Sequence, residues 1–248
     1  MSVRPSLIVL PAAEVPAAAA SFIARVLSVA VAERGVAHWA TTGGSAAPGI
    51  YSALLGPDLA GSVDWTAVHT WWGDDRFVGH EDPLSNVLPI RVMPVPAANL
   101  HPIPTEAAIA RGEGAAWAAA AYADELAAVA PSTMDGVPLL DLVILGVGPD
   151  GHILSVFPGS AVWDSPAQVC AVPAPTHIEP HVDRVTVHPR IVAAARQVLV
   201  ISTGASKAAN LARAWAGADV RDVPVGATML ATATWILDET AAAELPRD

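Results

Sequence analysis

Pro138–Ser160 reads PLLDLVILGVGPDGHILSVFPGS, and the fold turns on it. Asp141-Leu142-Val143-Ile144-Leu145 is a short apolar run of β-formers, the pattern of a strand buried on both faces. Gly146-Val147-Gly148-Pro149-Asp150-Gly151 breaks it, because three glycines and a proline in six residues neither extend a strand nor fill a helix interior. The result is a tight loop whose backbone lies open to a ligand. His152 follows at once, with apolar Ile153, Leu154, Val156 and Phe157 behind it. In an open α/β sheet ligands bind beyond the carboxyl ends of strands, and an imidazole there can act as a general base. The ordinary alternative is a turn whose histidine caps a helix. Asp150, Gly151 and His152 grouped at a strand end favour chemistry.

Outward from this stretch, strand patterns alternate with helical ones. Strands are expected at 6–10, 36–40, 67–72, 169–172, 183–187, 197–202 and 233–237. Helices are expected at 17–34, closed by Gly35, then from Ile50 to Leu55, at 87–93, at 106–129 with Thr105 as cap, at 191–194, from Lys207 to Trp215, and from Asp238 to Leu245. Alternation of this kind implies one domain, 1–248, with a mostly parallel sheet covered by helices on both faces. Four expected strand ends carry polar groups: Gly43-Gly44-Ser45, Asp74-Asp75-Arg76, Asp150 to His152, and Gly204 to Lys207. Glycine turns opening helices offer free N–H groups to a phosphate. Gly43 to Ser45 lacks the full dinucleotide and Gly-Lys-Ser/Thr patterns, so neither a dinucleotide nor a nucleoside triphosphate is indicated. A guanidinium such as Arg76 can grip a phosphate through paired hydrogen bonds. Lys207 is the chain's only lysine, and the other twelve basic residues are arginine. A point charge kept at a strand end suits a phosphate or an oxyanion.

The net charge of −11 argues against nucleic acid and anionic membrane as partners. A site for an anionic substrate must therefore be built locally, against the global field. No uninterrupted apolar run of 18 residues and no signal-peptide pattern is present, and the single Cys170 fits a reducing cytoplasm. His177-Ile178-Glu179-Pro180-His181 has the look of a metal cluster, but Pro180 forbids the helical i,i+4 geometry that two histidines would need.

Leu145-Gly146-x-Gly148-x-Asp150-Gly151-His152, followed by Ser155-x-Phe157-Pro158-Gly159, resembles the signature of the 6-phosphogluconolactonases, and a related signature occurs in the glucosamine-6-phosphate deaminases. The resemblance extends to Gly43-Gly44-Ser45, to Trp72 with Asp74-Asp75-Arg76 and Ser85-Asn86, to Arg184 before a β-run, and to Gly204-x-x-Lys207. It departs at Asp75, where the family has Glu, and at Ile153-Leu154, where many lactonases have Thr-Ala. The resemblance implies a single-domain, Rossmann-like, NagB/RpiA-like α/β fold and hydrolysis of 6-phospho-D-glucono-1,5-lactone in the oxidative pentose phosphate pathway. It implies His152 as base with Asp150 beside it. Gly43, Gly44, Ser45, Asp74, Arg76, Arg184 and Lys207 would hold the sugar phosphate, and Gly146, Gly148 and Gly151 the oxyanion. No cofactor and no metal are expected, and a cytoplasmic monomer or weak dimer is. One rival is a deaminase-isomerase, but the acidic residue of that family's Asn-Glu-Pro is missing from Ser155-Val156-Phe157-Pro158, and Arg76 stands where Tyr is usual. The other is a non-catalytic sugar-phosphate-binding protein, which would have no need of His152.

Overall fold

The apolar runs read from the sequence become the inner layer of the molecule. The computed structural model describes residues 4–44, 46–133 and 135–246. In chain order the elements are β1 (Ser6–Leu10), α1 (Val15–Arg34), β2 (Ala37–Thr41), α2 (Ala47–Leu54), β3 (Val68–Trp72), β4 (Asp74–Arg76), β5 (Leu100–His101), α3 (Thr105–Ala110) and α4 (Ala115–Val129). There follow β6 (Leu142–Gly146), β7 (Val169–Val172), β8 (Arg184–Val187), α5 (Pro189–Ala194), β9 (Val198–Ser202), α6 (Ala208–Trp215) and β10 (Ala233–Asp238).

Among the described residues, seven strands form one sheet in the order β1-β10-β9-β6-β2-β3-β5, and every neighbouring pair is parallel. Every residue of β2, β9 and β10 is buried, as a sheet covered on both faces requires. Trp39 of β2 packs edge-on against Tyr51 of α2, while Trp71 of β3 faces Tyr122 of α4, so helices cover both sides. Helix α1 is long and apolar enough, by length and composition, to cross a membrane. Here Ala19, Ile23, Leu27 and Ala30 form a buried stripe, and the helix packs on β2 and β10. Each large residue of that stripe contributes about 1.5–3 kcal/mol by leaving water. Gly35 ends the helix in the left-handed region at φ 75°, its N–H donating to the Val31 carbonyl at 2.8 Å.

From β2 the chain moves outward through β3 to β5. It then returns to β6 on the other side of β2 and continues through β9 to β10. The strand order therefore reverses between β2 and β6, and the loops leaving β9, β6, β2 and β3 share one edge of the sheet.

Four expectations are corrected. The helix expected at 106–129 is two helices, because Gly112, at φ 72°, and Gly114 interrupt it. Thr105 is the first residue of α3 rather than its cap, and its hydroxyl makes no capping bond. Residues 239–246 form turns instead of a terminal helix, and 88–92 form a 3₁₀ turn. The alternation of strands and helices also gave no sign of a second sheet, β4-β8-β7, which is antiparallel. Asp-Asp-Arg carries no apolar residue, and pairing with β8 alone makes it a strand.

Candidate active site

The turn after β6 closes on itself. Gly148 N–H donates to the His152 carbonyl at 2.9 Å, and Gly151 N–H donates to the Gly148 carbonyl at 3.0 Å. A Cβ on Gly148 would overlap the His152 ring, so glycine is what leaves the imidazole room beside the turn. No helix follows His152. Instead Leu154 sits in the left-handed region at φ 55°, a strained conformation for a side chain that lines the site.

Asp150 fixes the ring. Its Oδ1 accepts from His152 Nδ1 at 2.5 Å and from His152 N–H at 3.1 Å, and its Oδ2 lies 2.9 Å from His177 Nε2. Burial by itself would raise the Asp150 carboxyl. The hydrogen bond and charge of His152, with the His177 hydrogen bond, outweigh burial and hold it well below the usual carboxylate range. An ionised Asp150 keeps the proton on His152 Nδ1, which leaves Nε2 with its lone pair. The oxyanion expectation for Gly148 and Gly151 is corrected, since both N–H groups are already engaged in the turn. Gly151 does not line the cavity, whereas Gly146 does.

A cavity of about 260 Å³ opens at the switch point between β2 and β6. Gly43, Gly44, Asp74, Arg76, Gly146, Gly148, His152, Arg184 and Lys207 all line it, so all four polar strand ends meet there. Asp150 stands behind the ring of His152. Ser45 lies outside the described residues. Arg76 on β4 and Arg184 on β8 are cross-strand partners. Like charges placed so are destabilising unless an anion joins them. Burial, then the Arg76 guanidinium, pulls Arg184 below its usual value. Backbone carbonyls hold both from behind: Arg76 Nη1 donates to Leu84 O at 2.5 Å, and Arg184 Nη2 donates to Pro180 O at 2.9 Å. Lys207 follows Gly204, whose φ of 90° favours glycine and whose N–H donates to the Asp238 carboxylate at 3.1 Å. Three cations thus face one lining carboxylate, Asp74, in a chain whose net charge is −11.

Asp74 and Asp75 point in opposite senses. Asp74 Oδ2 accepts from Ser155 Oγ at 2.6 Å and lines the cavity. Asp75 is fully buried and accepts from Arg76 N–H and Asn86 N–H, each at 2.7 Å, and from Ser85 Oγ at 2.9 Å. Burial pushes its pKa up to about 6 against the pull of those donors.

Asn86, Leu154, Ser202 and Thr203 also line the cavity, and none was singled out from the sequence as a site residue. Ser85-Asn86 was visible as a motif. Its contact was not: a Cβ on Gly43 would overlap the Asn86 side chain, so the two loops meet with no spare room. His181 binds the Pro175 carbonyl and Glu179 while His177 binds Asp150. Among the described residues no group of three or more His, Cys, Asp or Glu side chains is placed so that it could hold a metal ion.

Fold and site define a class: an open parallel α/β protein with an Asp–His pair and a cation-lined cavity at the carboxyl edge of its sheet. Residues 11–236 match the family described as glucosamine-6-phosphate isomerases/6-phosphogluconolactonase. Among curated relatives, the 6-phosphogluconolactonase of Streptomyces coelicolor is 36% identical over 93% of this chain and 90% of its own length. The 6-phosphogluconolactonase of Mycobacterium tuberculosis is 35% identical, over 93% and 94%. The solved structure of 6-phosphogluconolactonase from Trypanosoma brucei superposes with a TM-score of 0.86 at 27% identity, covering 99% of this chain and 100% of that one. A monomeric glucosamine-6-phosphate deaminase shares the fold at 16% identity, with a TM-score of 0.78 over 96% and 99% of the two chains. The chain belongs to the glucosamine-6-phosphate isomerase/6-phosphogluconolactonase family.

Proposed function

We propose that this enzyme hydrolyses 6-phospho-D-glucono-1,5-lactone to 6-phospho-D-gluconate, the second step of the oxidative pentose phosphate pathway. The observation that carries the reading is one cavity in which an Asp-held imidazole faces three cations. His152 Nε2 takes a proton from water as the water attacks the lactone carbonyl. Asp150 stabilises the imidazolium that forms, much as the carboxylate of a hydrolytic triad does. The tetrahedral intermediate then collapses, and His152 returns the proton to the ring oxygen that leaves. Gly146 and the positive field of the cavity meet the oxyanion, because Gly148 and Gly151 are engaged. Arg76, Arg184, Lys207 and the segment Gly43-Gly44-Ser45 grip the phosphate, and Asp74 accepts from a sugar hydroxyl. Fixing both ends of the substrate turns the water's attack into a positioned, nearly unimolecular event.

Residues 155–158 carry no carboxylate, which disfavours the deaminase chemistry. The retained Asp150–His152 pair disfavours a mere binding protein. We take 1–248 to act as one domain, as a monomer or weak dimer in the cytoplasm, on a small sugar phosphate and without nucleic acid or membrane. The test is an assay with freshly made lactone, corrected for spontaneous opening, beside a deaminase assay on glucosamine 6-phosphate. Lactone hydrolysis without ammonia release is expected, and the reverse pattern would sink the reading.

A further inference from the structure

Residues 173–183 form a loop that leaves β7 and enters β8 at Arg184. Ala174 N–H donates to Asp183 Oδ1 at 2.9 Å, and His181 Nδ1 lies 2.6 Å from the Pro175 carbonyl, so the loop is tied across its own neck. From it His177 reaches back to Asp150 Oδ2, the oxygen that the His152 ring leaves free. Phe157 stands between the two imidazoles, its centroid 4.7 Å from the ring of His152 and 5.6 Å, edge-on, from that of His177. One carboxylate thus serves two histidines, His152 with its side chain 19% exposed and His177 with its side chain 51% exposed. Among the described residues no other side chain hydrogen-bonds that carboxylate.

A carboxylate is planar, so fixing one oxygen fixes the direction of the other. A hydrogen bond to Oδ2 also draws charge from Oδ1. We propose that His177 is a second positioning residue for the base: it holds the plane of Asp150 and, by sharing its charge, sets the pH range over which His152 is neutral and able to work. The proposal rests on the reading of His152 as the base. Asp74, Arg76, Arg184 and Lys207 face the pair across the cavity, and Glu179, His181 and Asp183 share the loop. Behind the turn, Asn210 donates to the Pro149 carbonyl at 2.9 Å and accepts from Arg213. None of these hydrogen-bonds His177, so a change in the His152 titration reports His177 itself.

The test compares His177→Ala and His177→Gln with wild type, by lactone kinetics from about pH 5 to about pH 8 and by NMR titration of the His152 ring. His177→Ala is expected to lower kcat about three- to tenfold while KM stays within about twofold. With the carboxylate undivided, the imidazolium of His152 is favoured. The acid limb of the rate and the ring titration then move up together by about half a pH unit, about threefold in rate on that limb. His177→Gln, whose amide can still donate to Oδ2, restores most of kcat. Unchanged kcat and an unmoved titration in His177→Ala would overturn the proposal. So would a raised KM and lowered Tm with the titration unmoved, which would make His177 only a prop for its loop. A shift in the ring titration without one in the rate profile would reject His152 as the base, and the positioning role with it. That failure is distinct, because the coupling between the rings would still be measured.

Discussion

His152, the proposed base, meets two neighbours on the Nδ1 edge of its ring. Gly148 leaves room for the ring, and Asp150 fixes its tautomer. Only a neutral imidazole accepts a proton, so the lactonase rate is expected to rise with pH through a single limb in the corrected pH profile. His152→Ala should fold as wild type and lose about 10²–10⁴ in kcat with KM little changed. A folded variant that keeps more than about a tenth of kcat would remove His152 as the base. Asp75 would not take its place, because its carboxylate is buried and turned to the 85–87 loop. At Gly148 the backbone tolerates a side chain, since its φ is not positive, but the space does not. Gly148→Ala should therefore stay folded and lose activity by displacing the ring, and an active Gly148→Ala enzyme would show that the ring's place against the turn does not matter.

The short antiparallel sheet holds the two arginines of the proposed phosphate clamp. β4 and β8 set Arg76 and Arg184 opposite one another, with repulsion that an anion relieves. Arg76→Ala and Arg184→Ala should each raise KM about ten- to a hundredfold, the worth of one charged hydrogen bond at about 1.5–3 kcal/mol. Lys207→Arg should not fully rescue a lost Lys207, because a guanidinium is larger and planar. Added 6-phosphogluconate should stabilise the fold by about 2.7 kcal/mol at a hundredfold excess over Kd, which is read as a raised Tm. If wild type gains that stability and Arg184→Ala gains it equally, Arg184 is not part of the clamp.

Across the whole molecule, two buried groups give opposite responses to acid. His38 stacks on His69 at 4.7 Å and accepts from Trp71 Nε1 at 3.2 Å. Burial, then the charges of His69 and His101, pulls its pKa down to about 4. The unfolded chain binds that proton near 6.5, so unfolding takes up a proton and stability falls as pH drops from about 6.5 to about 4, by about 3 kcal/mol. Asp75 runs the other way. Its folded pKa of about 6 exceeds the unfolded 3.8, so acid through that window favours the folded state by about 3 kcal/mol. The two nearly cancel, and His69, also pulled down by burial and by His101, tips the balance toward lability in acid. Asp75→Asn removes one side of the balance. An amide can still accept from the two backbone N–H groups and donate to Ser85. The variant is expected to be more stable than wild type at pH 7 and to lose stability more steeply between about pH 6 and about pH 4. Urea unfolding at several pH values measures both slopes, and parallel slopes for the two proteins would show that Asp75 does not titrate as described.

Much of this was written in local patterns. The run 141–145, the glycines that end it, Gly35 after a long alanine-rich helix, and the strand runs at 198–202 and 233–237 depend on near neighbours, which is why the parallel sheet and its four polar loop ends could be read directly. The glycines at 112 and 114 were equally local, but alanine on both sides gives no periodic face to break, so one long helix was expected where there are two. Distance in the chain set the limit elsewhere. β4 is a strand only because β8, more than a hundred residues on, pairs with it, and the Arg76–Arg184 juxtaposition exists only in that register. The opposite senses of Asp74 and Asp75 follow from the same pairing. The role of Gly148 and Gly151 was misread because a free glycine N–H and one spent inside its own turn look alike in a sequence. Pro180 already argued against a metal pair at His177 and His181, but nothing local showed that the fold carries the His177 loop over Asp150, 27 residues away along the chain. Hydrophobic periodicity and turn chemistry act over a few residues, so they fix strands, helices and loop ends. Which side chains then share one carboxylate or one anion depends on contacts that form only when the sheet closes.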